Sequence, residues 1–570
     1  MPAIVIAVLV AVAFFLGYRY YSKYLAEKVY VLDKNFQTPA HEFEDGVDYV
    51  PTNKHVLFGH HFTSVAGAAP IVGPAIAVFW GWVPALCWVV LGTIFAAGVH
   101  DFGSLVVSVR NRAQNLGTLS ATVINARART LFLLIIFFLL TLVNAVFAVV
   151  IAILFESFPA AVIPIFFEIP LAIFIGQYIY RRRTSALIPS LIGVGLLYLS
   201  ILLGQVFPID LSPVASAIGL EVRTLWVIIL FAYTFIASRL PVWFLLQPRD
   251  YINSHQLFIA LGVIFLGVLV GFDRIVAPAI NTDLPAGSPF WFPFLFITIA
   301  CGAISGFHSL VSSGTTSKQL DNEEDARYVG YFGAVGEGSL ALGSILACTA
   351  GLGAYGAWQE KYVDFGTASE GAVGNFVAGV GHFANNLGIP LAIATTFAAV
   401  VVVSFAATTM DTGVRLQRYI IQEIAEVARI RPLARNITIG TGIAVLVPMG
   451  LALYPSDAGG ESGFAFGYLW RLFGTTNQLT AGLALAVVAV WVFTKGRNPL
   501  AQIIPLVFLL SMTVWALFIQ IGEFYAGGDW LLTIVDALIF VLALWLIVEA
   551  IGAFRRARED RTSGRTAGEG

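Results

Sequence analysis

The most restrictive feature of this sequence is a succession of long apolar segments that few charged residues interrupt. A helix needs about 20 mainly apolar residues to cross a bilayer, and hydropathy predicts about 15 such segments. Because 58% of the residues are hydrophobic and 12% are charged, soluble domains could not cover their surfaces. The sequence therefore predicts an all-α polytopic membrane protein and excludes a soluble enzyme or a nucleic-acid binder. The predicted spans are 2–22, 55–80, 82–108, 130–154, 161–180, 186–206, 224–246, 256–274, 291–316, 328–352, 388–412, 436–453, 464–494, 500–521 and 530–552.

The basic residues indicate how these spans are oriented. Clusters of Lys and Arg follow only odd-numbered spans, and they include 110–112, 181–183 and 555–558, with Arg249 after span 7. Cytoplasmic loops carry the excess of Lys and Arg. We therefore expect the N-terminus outside and the C-terminus in the cytoplasm.

Two spans contain helix-breaking residues in a similar pattern. GHHFTSVAG (59–67) is followed by Pro70 and Pro74, and GFHSLVSSG (306–314) is preceded by CGAIS. Both fit G-x-H-x5-G, which aligns Gly67 with Gly314. Interrupted helices in transporters line the binding site, because free backbone groups persist in lipid only beside a polar cavity. The alternative is that these small residues are helix-packing contacts.

The two motifs begin two groups of five spans in opposite orientations, which predicts a five-plus-five inverted repeat. In both groups a long connection with helical character follows the second span, at 111–129 and 355–387. The predicted organisation is a peripheral N-terminal segment, a first repeat, a two-helix insertion, a second repeat and two peripheral C-terminal helices. Their boundaries are 1–54, 55–206, 207–290, 291–495 and 496–570.

The chain resembles the carbon starvation protein A family. The resemblance is carried by FGHHFTSVAGAAPIVGPAIA, GVHDFGSLVVSVRNR, CGAISGFHSLVSSGTTSKQL, YFGAVGEGSLAL, DTGVRLQRYIIQE and LWRLFGTTNQLTAGL, in that order between residue 58 and about residue 483. It implies an inner-membrane secondary transporter with the APC, leucine-transporter-like fold. It also implies import of peptides or pyruvate, driven by protons.

We predict a substrate site at the two interruptions and at a polar stretch of span 13. Ser and Gly supply hydroxyl and backbone groups there, and His can change charge near neutral pH. The alternatives are neutral histidines bonded to a neighbouring helix, and interhelical hydrogen bonds for the polar stretch. The predicted substrate-binding residues are His61, Ser64, Gly67, His308, Ser312, Ser313, Asn477 and Gln478.

Ionisable groups at membrane depth are costly and are candidates for proton or ion coupling. Asp101 could instead cap its helix through Arg110, and Asp411 could form an i,i+4 ion pair with Arg415. Glu337 could bond a hydroxyl on span 9. The predicted coupling residues are His60, Asp101, Glu337, Thr408, Thr409 and Asp411, the two threonines by position in APC-type folds only.

No enzyme, cofactor or metal site is predicted, since the spacing of the histidines and carboxylates fits no zinc signature. The expected partners are a small-molecule or peptide substrate, a proton or sodium ion, and membrane lipid. The alternatives that remain are a sodium-coupled amino-acid carrier, a channel and a nutrient sensor without transport.

Overall fold

The computed structural model describes residues 1–46, 48–182, 185–241, 244–454 and 466–562, and the described chain is almost entirely helical. Arg183 of the predicted basic cluster and the first two residues of predicted span 464–494 lie outside these ranges. We number the principal helices in chain order. They are α1 (Ala3–Tyr30), α2 (Lys54–Val65), α3 (Ala69–Trp80), α4 (Trp82–Arg110), α5 (Leu116–Val123), α6 (Ala126–Ser157), α7 (Pro159–Arg182), α8 (Leu187–Val206), α9 (Val222–Ala237), α10 (Leu246–Gly271), α11 (Trp291–Thr298), α12 (Phe307–Gly314), α13 (Arg327–Thr349), α14 (Tyr355–Lys361), α15 (Phe365–Asn386), α16 (Leu391–Val427), α17 (Ile437–Ala452), α18 (Phe466–Thr494), α19 (Leu500–Ala526) and α20 (Trp530–Glu559).

Several helices begin where an Asn or Asp side chain accepts a hydrogen bond from a backbone N–H of the first turn. Such a cap satisfies one of the donors that a helix start leaves free. The capping residues are Asn53, Asn115, Asn125, Asp364 and Asn436, which begin α2, α5, α6, α15 and α17.

Eleven helices among the described residues are long and apolar enough to cross a membrane, or twelve if α2 and α3 form one bent span. This criterion does not reach the sequence-based number of about 15. The reason is that α9 and α17 have 16 residues each, and that the segment 291–314 is divided into short helices.

The helix ends lie at two faces. At the first, which we call the basic face, Arg110 bonds Glu323, Arg497 bonds the Tyr30 carbonyl, and Arg129 pairs with Glu423. At the opposite face, the start of α1 bonds the Asp273 carbonyl. These groupings match the alternation that the basic clusters predict.

The core is formed by α6, α16 and α18, which pack together. Their most apolar windows are 78% to 94% buried, against 33% for α1 and α20. Asn144 of α6 donates to Gln417 of α16 at 2.8 Å, and Gln417 donates to Thr141 at 2.7 Å. The first and last of these helices are therefore much less buried than the core helices.

Helix α15 lies at the opposite face. Its first residue, Phe365, contacts the rings of Phe79 and Trp80, and its last, Asn386, bonds Asp273 at 2.8 Å. The predicted connection 355–387 is therefore helical, as is part of the connection 111–129, which contains α5.

Candidate functional site

The first interruption separates α2 from α3, whose axes differ in direction by 51°. Ala66 leaves the helical conformation with ψ 64°, and Pro70 lies in the first turn of α3, where its missing N–H removes no hydrogen bond. A Cβ on Gly67 would lie 2.8 Å from the Thr409 hydroxyl. The interruption therefore packs closely against α16.

The second interruption lies between α11 and α12. Gly302 has φ +109°, a conformation that L side chains rarely adopt, and Ile304 is extended. A Cβ on Gly302 would lie 3.3 Å from Pro70 Cα, and one on Gly73 would lie 2.4 Å from the Thr298 carbonyl oxygen. The two interrupted helices therefore contact each other at their breaks.

The predicted alignment of the two motifs does not match the positions of the breaks. His61 precedes the first break, on α2, whereas His308 follows the second break, on α12. Gly67 lies at a break, but Gly314 is the last residue of α12. Both predicted helices are therefore interrupted, but the G-x-H-x5-G alignment does not bring the two interruptions to equivalent positions.

A chain of buried acids and imidazoles lies beside the second break. His308 Nδ1 is 2.8 Å from Asp101 Oδ2, and His308 Nε2 is 3.3 Å from Glu337 Oε1. On the other side of Asp101, His100 Nδ1 is 2.7 Å from Oδ1. All four side chains are at most 1% exposed. Three helices, α4, α12 and α13, thus meet through ionisable groups.

The geometry around His308 requires two protons. Each ring nitrogen faces a carboxylate oxygen, and a contact of that kind is favourable only when a proton lies between the two atoms. Loss of one proton would leave a nitrogen lone pair against a carboxylate. The Asp101–His308–Glu337 chain can therefore hold a proton and release it at the cost of one interhelical contact.

A second layer of polar groups lies one helical turn toward the basic face. Ser104 follows Asp101 by three residues on α4, and Ser312 follows His308 by four on α12. His61 bonds Thr316 at 2.9 Å, and its ring lies against Gly333, one turn from Glu337 on α13.

Several buried atoms in these two layers have no hydrogen-bond partner in the protein. They are His61 Nε2, His100 Nε2, Ser104 Oγ and Ser312 Oγ. A buried polar atom without a partner costs about 1–3 kcal/mol, so such a concentration is typical of a site that binds a polar ligand. This is the candidate functional site.

Asn477 and Gln478 hold the second interruption in place. Asn477 donates to Cys301 Sγ at 2.9 Å and accepts from the Phe307 N–H at 3.2 Å, which caps α12 from another helix. Gln478 donates to the Phe296 carbonyl at 2.6 Å. The structure thus shows interhelical hydrogen bonding, the alternative considered for these two residues.

Four other predicted residues have local or interhelical partners. The hydroxyls of Ser64 and Ser313 bond carbonyls of their own helices, and Ser313 also accepts from the Leu116 N–H of α5. Thr409 bonds a carbonyl of its own helix, while Thr408 accepts from Asn253 at 2.6 Å. His60 lies on α2 beside His61 and is only partly buried.

Two of the sequence-based alternatives are wrong. Asp411 does not pair with Arg415: Arg249 Nη1 lies 2.9 Å from Asp411 Oδ2, while Arg415 donates to the Leu240 carbonyl at 2.6 Å. Arg110 does not cap through Asp101, because its guanidinium bonds Glu323. In both cases, the partner that we inferred from spacing along the same helix was the wrong residue.

The model of the family described as carbon starvation protein CstA matches residues 2–366 and 356–516. The chain belongs to the CstA family. The peptide transporter CstA of Campylobacter jejuni is 35% identical over 570 residues, covering 90% of this chain and 80% of that protein. The pyruvate/proton symporter BtsT of Escherichia coli is 32% identical over 600 residues, covering 91% and 82%. The peptide transporter CstA of Bacillus subtilis is 30% identical, covering 98% of each chain.

Among solved structures, a manganese transporter variant of Eremococcus coleocola matches 90% of this CstA-family chain and 99% of its own, with 12% identity and a TM-score of 0.42. The relatives of the chain are named as transporters, not as enzymes. Within the described residues, no group of three or more His, Cys, Asp and Glu side chains could hold a metal ion.

One buried cluster of this CstA-family member was not predicted from the sequence. Arg249 was assigned to a basic loop, yet it is 1% exposed and pairs with both Glu168 and Asp411. The signal was the spacing of Arg249, Asn253 and Gln256, which would place three polar side chains on one face if the helix of predicted span 256–274 began earlier, as α10 does.

Proposed function

We propose that this chain is a secondary active transporter that imports small peptides, or small carboxylates of the pyruvate kind, across the cytoplasmic membrane with protons. Transport would proceed by alternating access around the two interrupted helices. The observation that carries the proposal is the buried Asp101–His308–Glu337 chain beside the contact of the two breaks. The names of the relatives, peptide transporter and pyruvate/proton symporter, supply the two substrate classes.

The arrangement of the helices supports an inverted repeat. An interrupted pair, a long helix, a connecting helix or helix pair and another long helix occur in this order twice, from α2 to α6 and from α11 to α16. We propose the five-plus-five, APC-like fold with the five regions given above. We also propose that the basic face is cytoplasmic, with the N-terminus outside.

We propose that the substrate contacts the second layer of polar groups, namely His61, Ser104 and Ser312, and Gly67 at the first break. A half-helix start presents free N–H groups and a partial positive charge, which suits the carboxylate that peptides and 2-oxo acids share. We propose that the other predicted contacts hold the surrounding helices in place and do not touch the substrate; they are Ser64, Ser313, Asn477 and Gln478.

We infer that proton movement is coupled to transport from the two protons that the contacts of His308 require. A proton that enters Glu337 or His308 restores the contact between α12 and α13, and its departure breaks that contact. Binding and release of the proton would therefore bias the position of the half-helix α12 relative to α13. A conformational change needs such a difference in interaction between two states.

The test is uptake of labelled dipeptide or pyruvate into proteoliposomes under an imposed pH gradient. We expect accumulation with the inside alkaline, no accumulation without the gradient, and loss of gradient-driven accumulation in Glu337→Gln. Glu360→Gln, an exposed glutamate on α14, is the matched control and should behave as the parent. Accumulation that ignores the gradient, or that requires sodium and stops when choline replaces it, would refute proton coupling.

A further inference from the structure

A second buried ionic cluster lies outside the site described above. It joins four helices: Glu168 of α7, Tyr233 of α9, Arg249 of α10 and Asp411 of α16. Arg249 Nε lies 3.1 Å from Glu168 Oε1, and its Nη1 lies 2.9 Å from Asp411 Oδ2 and 3.2 Å from the Tyr233 hydroxyl. Ser404 donates to the other oxygen of Glu168 at 3.1 Å. The cluster thus fastens α9 and α10 to α7 and α16.

The charges of this cluster do not balance. Asp250 follows Arg249 directly and is 6% exposed, which adds a third carboxyl group to one guanidinium. The donors of Arg249 bond Glu168, Asp411 and Tyr233, so Asp250 receives none of them. An ionised carboxylate without a paired cation is costly to bury.

The other ionisable groups near the cluster bond elsewhere or carry no charge, apart from His60 of α2, a helix that also packs against α10. Arg415 and Arg418 donate to the carbonyls of Leu240 and Ser238. His255 bonds Ser190 on α8 at 2.8 Å. Tyr251, next to Asp250, is a phenol.

Oxygens in the cluster lack donors. Asp250 Oδ1, Asp411 Oδ1 and Asn253 Oδ1 are buried without a hydrogen-bond partner. Asn253 itself donates to Thr408, one turn along α16 from Asp411. Acceptors without donors, next to an excess of carboxylates, favour a ligand that is positively charged and donates a hydrogen bond.

We propose that this cluster binds one proton, carried by Asp250, as a second protonation site separate from the Asp101–His308–Glu337 chain. Glu168 and Asp411 each bond Arg249, whereas Asp250 does not, so we place the proton on Asp250, which becomes a neutral acid that can donate a hydrogen bond. A proton fits better than a metal ion, because the described residues contain no cluster able to ligate a metal.

The site lies at the same level of α16 as the first break. Asp411 lies two residues after Thr409, whose hydroxyl is the neighbour of Gly67. If Asp250 loses its proton, its charge competes with Asp411 for Arg249 and weakens the contact between α10 and α16. This step rests on the proposed transport function; the binding of the proton does not.

The test is infrared difference spectroscopy of the full chain in liposomes, recorded between acidic and alkaline buffer. We expect a protonated-carboxyl C=O band that titrates in the parent and in Asp283→Asn, an exposed loop aspartate, and that is lost in Asp250→Asn. Asp250→Glu should keep the band at a shifted frequency, so that a poorly folded Asp250→Asn does not decide the result. A spectrum of well-folded Asp250→Asn identical to the parent's would overturn the proposal.

Two further measurements distinguish a bound proton from another bound cation, and the second protonation site from the proposed transport function. If the band of the parent disappears when sodium replaces choline at constant pH, the site binds a sodium ion, and the proposal of a proton site is overturned. Failure of the parent to accumulate substrate under a pH gradient would refute the proposed function and leave the infrared assignment of Asp250 standing.

Discussion

The contact between the two interrupted helices can be tested by adding a single methyl group at Gly73. The added Cβ would lie 2.4 Å from the Thr298 carbonyl oxygen and 3.3 Å from Ile299 Cα, where real Cβ atoms essentially never come closer than 3.0 Å. One helix must therefore move by at least 0.6 Å, the difference between 3.0 and 2.4 Å. A backbone carbonyl cannot relieve this overlap by changing rotamer, as a flexible side chain could.

The expected magnitude comes from two opposing terms. Overpacking of a close contact costs about 1–3 kcal/mol, and replacing Gly by Ala inside a helix gains about 0.8–1 kcal/mol. We expect Gly73→Ala to lose up to about 2 kcal/mol of stability and most of its transport rate, because the shift occurs where the two breaks meet. Gly59→Ala is the matched control: Gly59 lies on α2, has nothing within 4 Å of its Cβ, and should be stabilised slightly.

The assay compares thermal and denaturant unfolding of the purified variants, followed by tryptophan fluorescence, with counterflow in proteoliposomes. The expected order of stability is Gly59→Ala, parent, Gly73→Ala. Equal stability and equal counterflow of the two alanine variants would refute the inference that the breaks are in direct contact.

Three other substitutions have defined outcomes. Asn477→Ala removes the cap of Phe307 and should cost about 1–2 kcal/mol in denaturant unfolding, whereas no change would show that the cap is dispensable. Arg110→Lys should destabilise nearly as much as Arg110→Ala, because Lys cannot bond both oxygens of Glu323 in a planar fork; full rescue by Lys contradicts this. Arg249→Met should cost about 3–5 kcal/mol by leaving buried carboxylates unpaired, and neutralising both partners as well should recover part of the loss. Independent, additive effects in that cycle would refute the pairing.

The transmembrane architecture was predictable because its cause is local. A bilayer demands an uninterrupted apolar length, and Gly and Pro interrupt a helix by their own backbone properties. For this reason VAGAAP and CGAIS marked both breaks. The internal match of nine residues failed as a guide to register, since Gly314 fits the pattern but lies at the end of α12 and not at the interruption that precedes it.

The partners of the charged groups were not predictable, because they are distant in sequence. Asp411 had a plausible partner four residues away in Arg415, but it pairs with Arg249 across a helix interface. Asp101 and Glu337 were each identified as costly membrane carboxyls, yet nothing in their local sequence indicates that His308 lies between them. Helical periodicity fixes which face a residue occupies, and only packing decides what that face meets.

The two buried clusters differ in the one property that matters for moving protons. A guanidinium stays protonated, so Arg249 can hold two helices together but cannot pass a proton on, and titration there is restricted to carboxyl groups. An imidazole has two nitrogens that can exchange roles, and His308 places one against Asp101 and the other against Glu337. The cluster at the second break therefore has the chemistry of a relay, while the cluster near the first break has that of a charged clamp whose strength depends on Asp250.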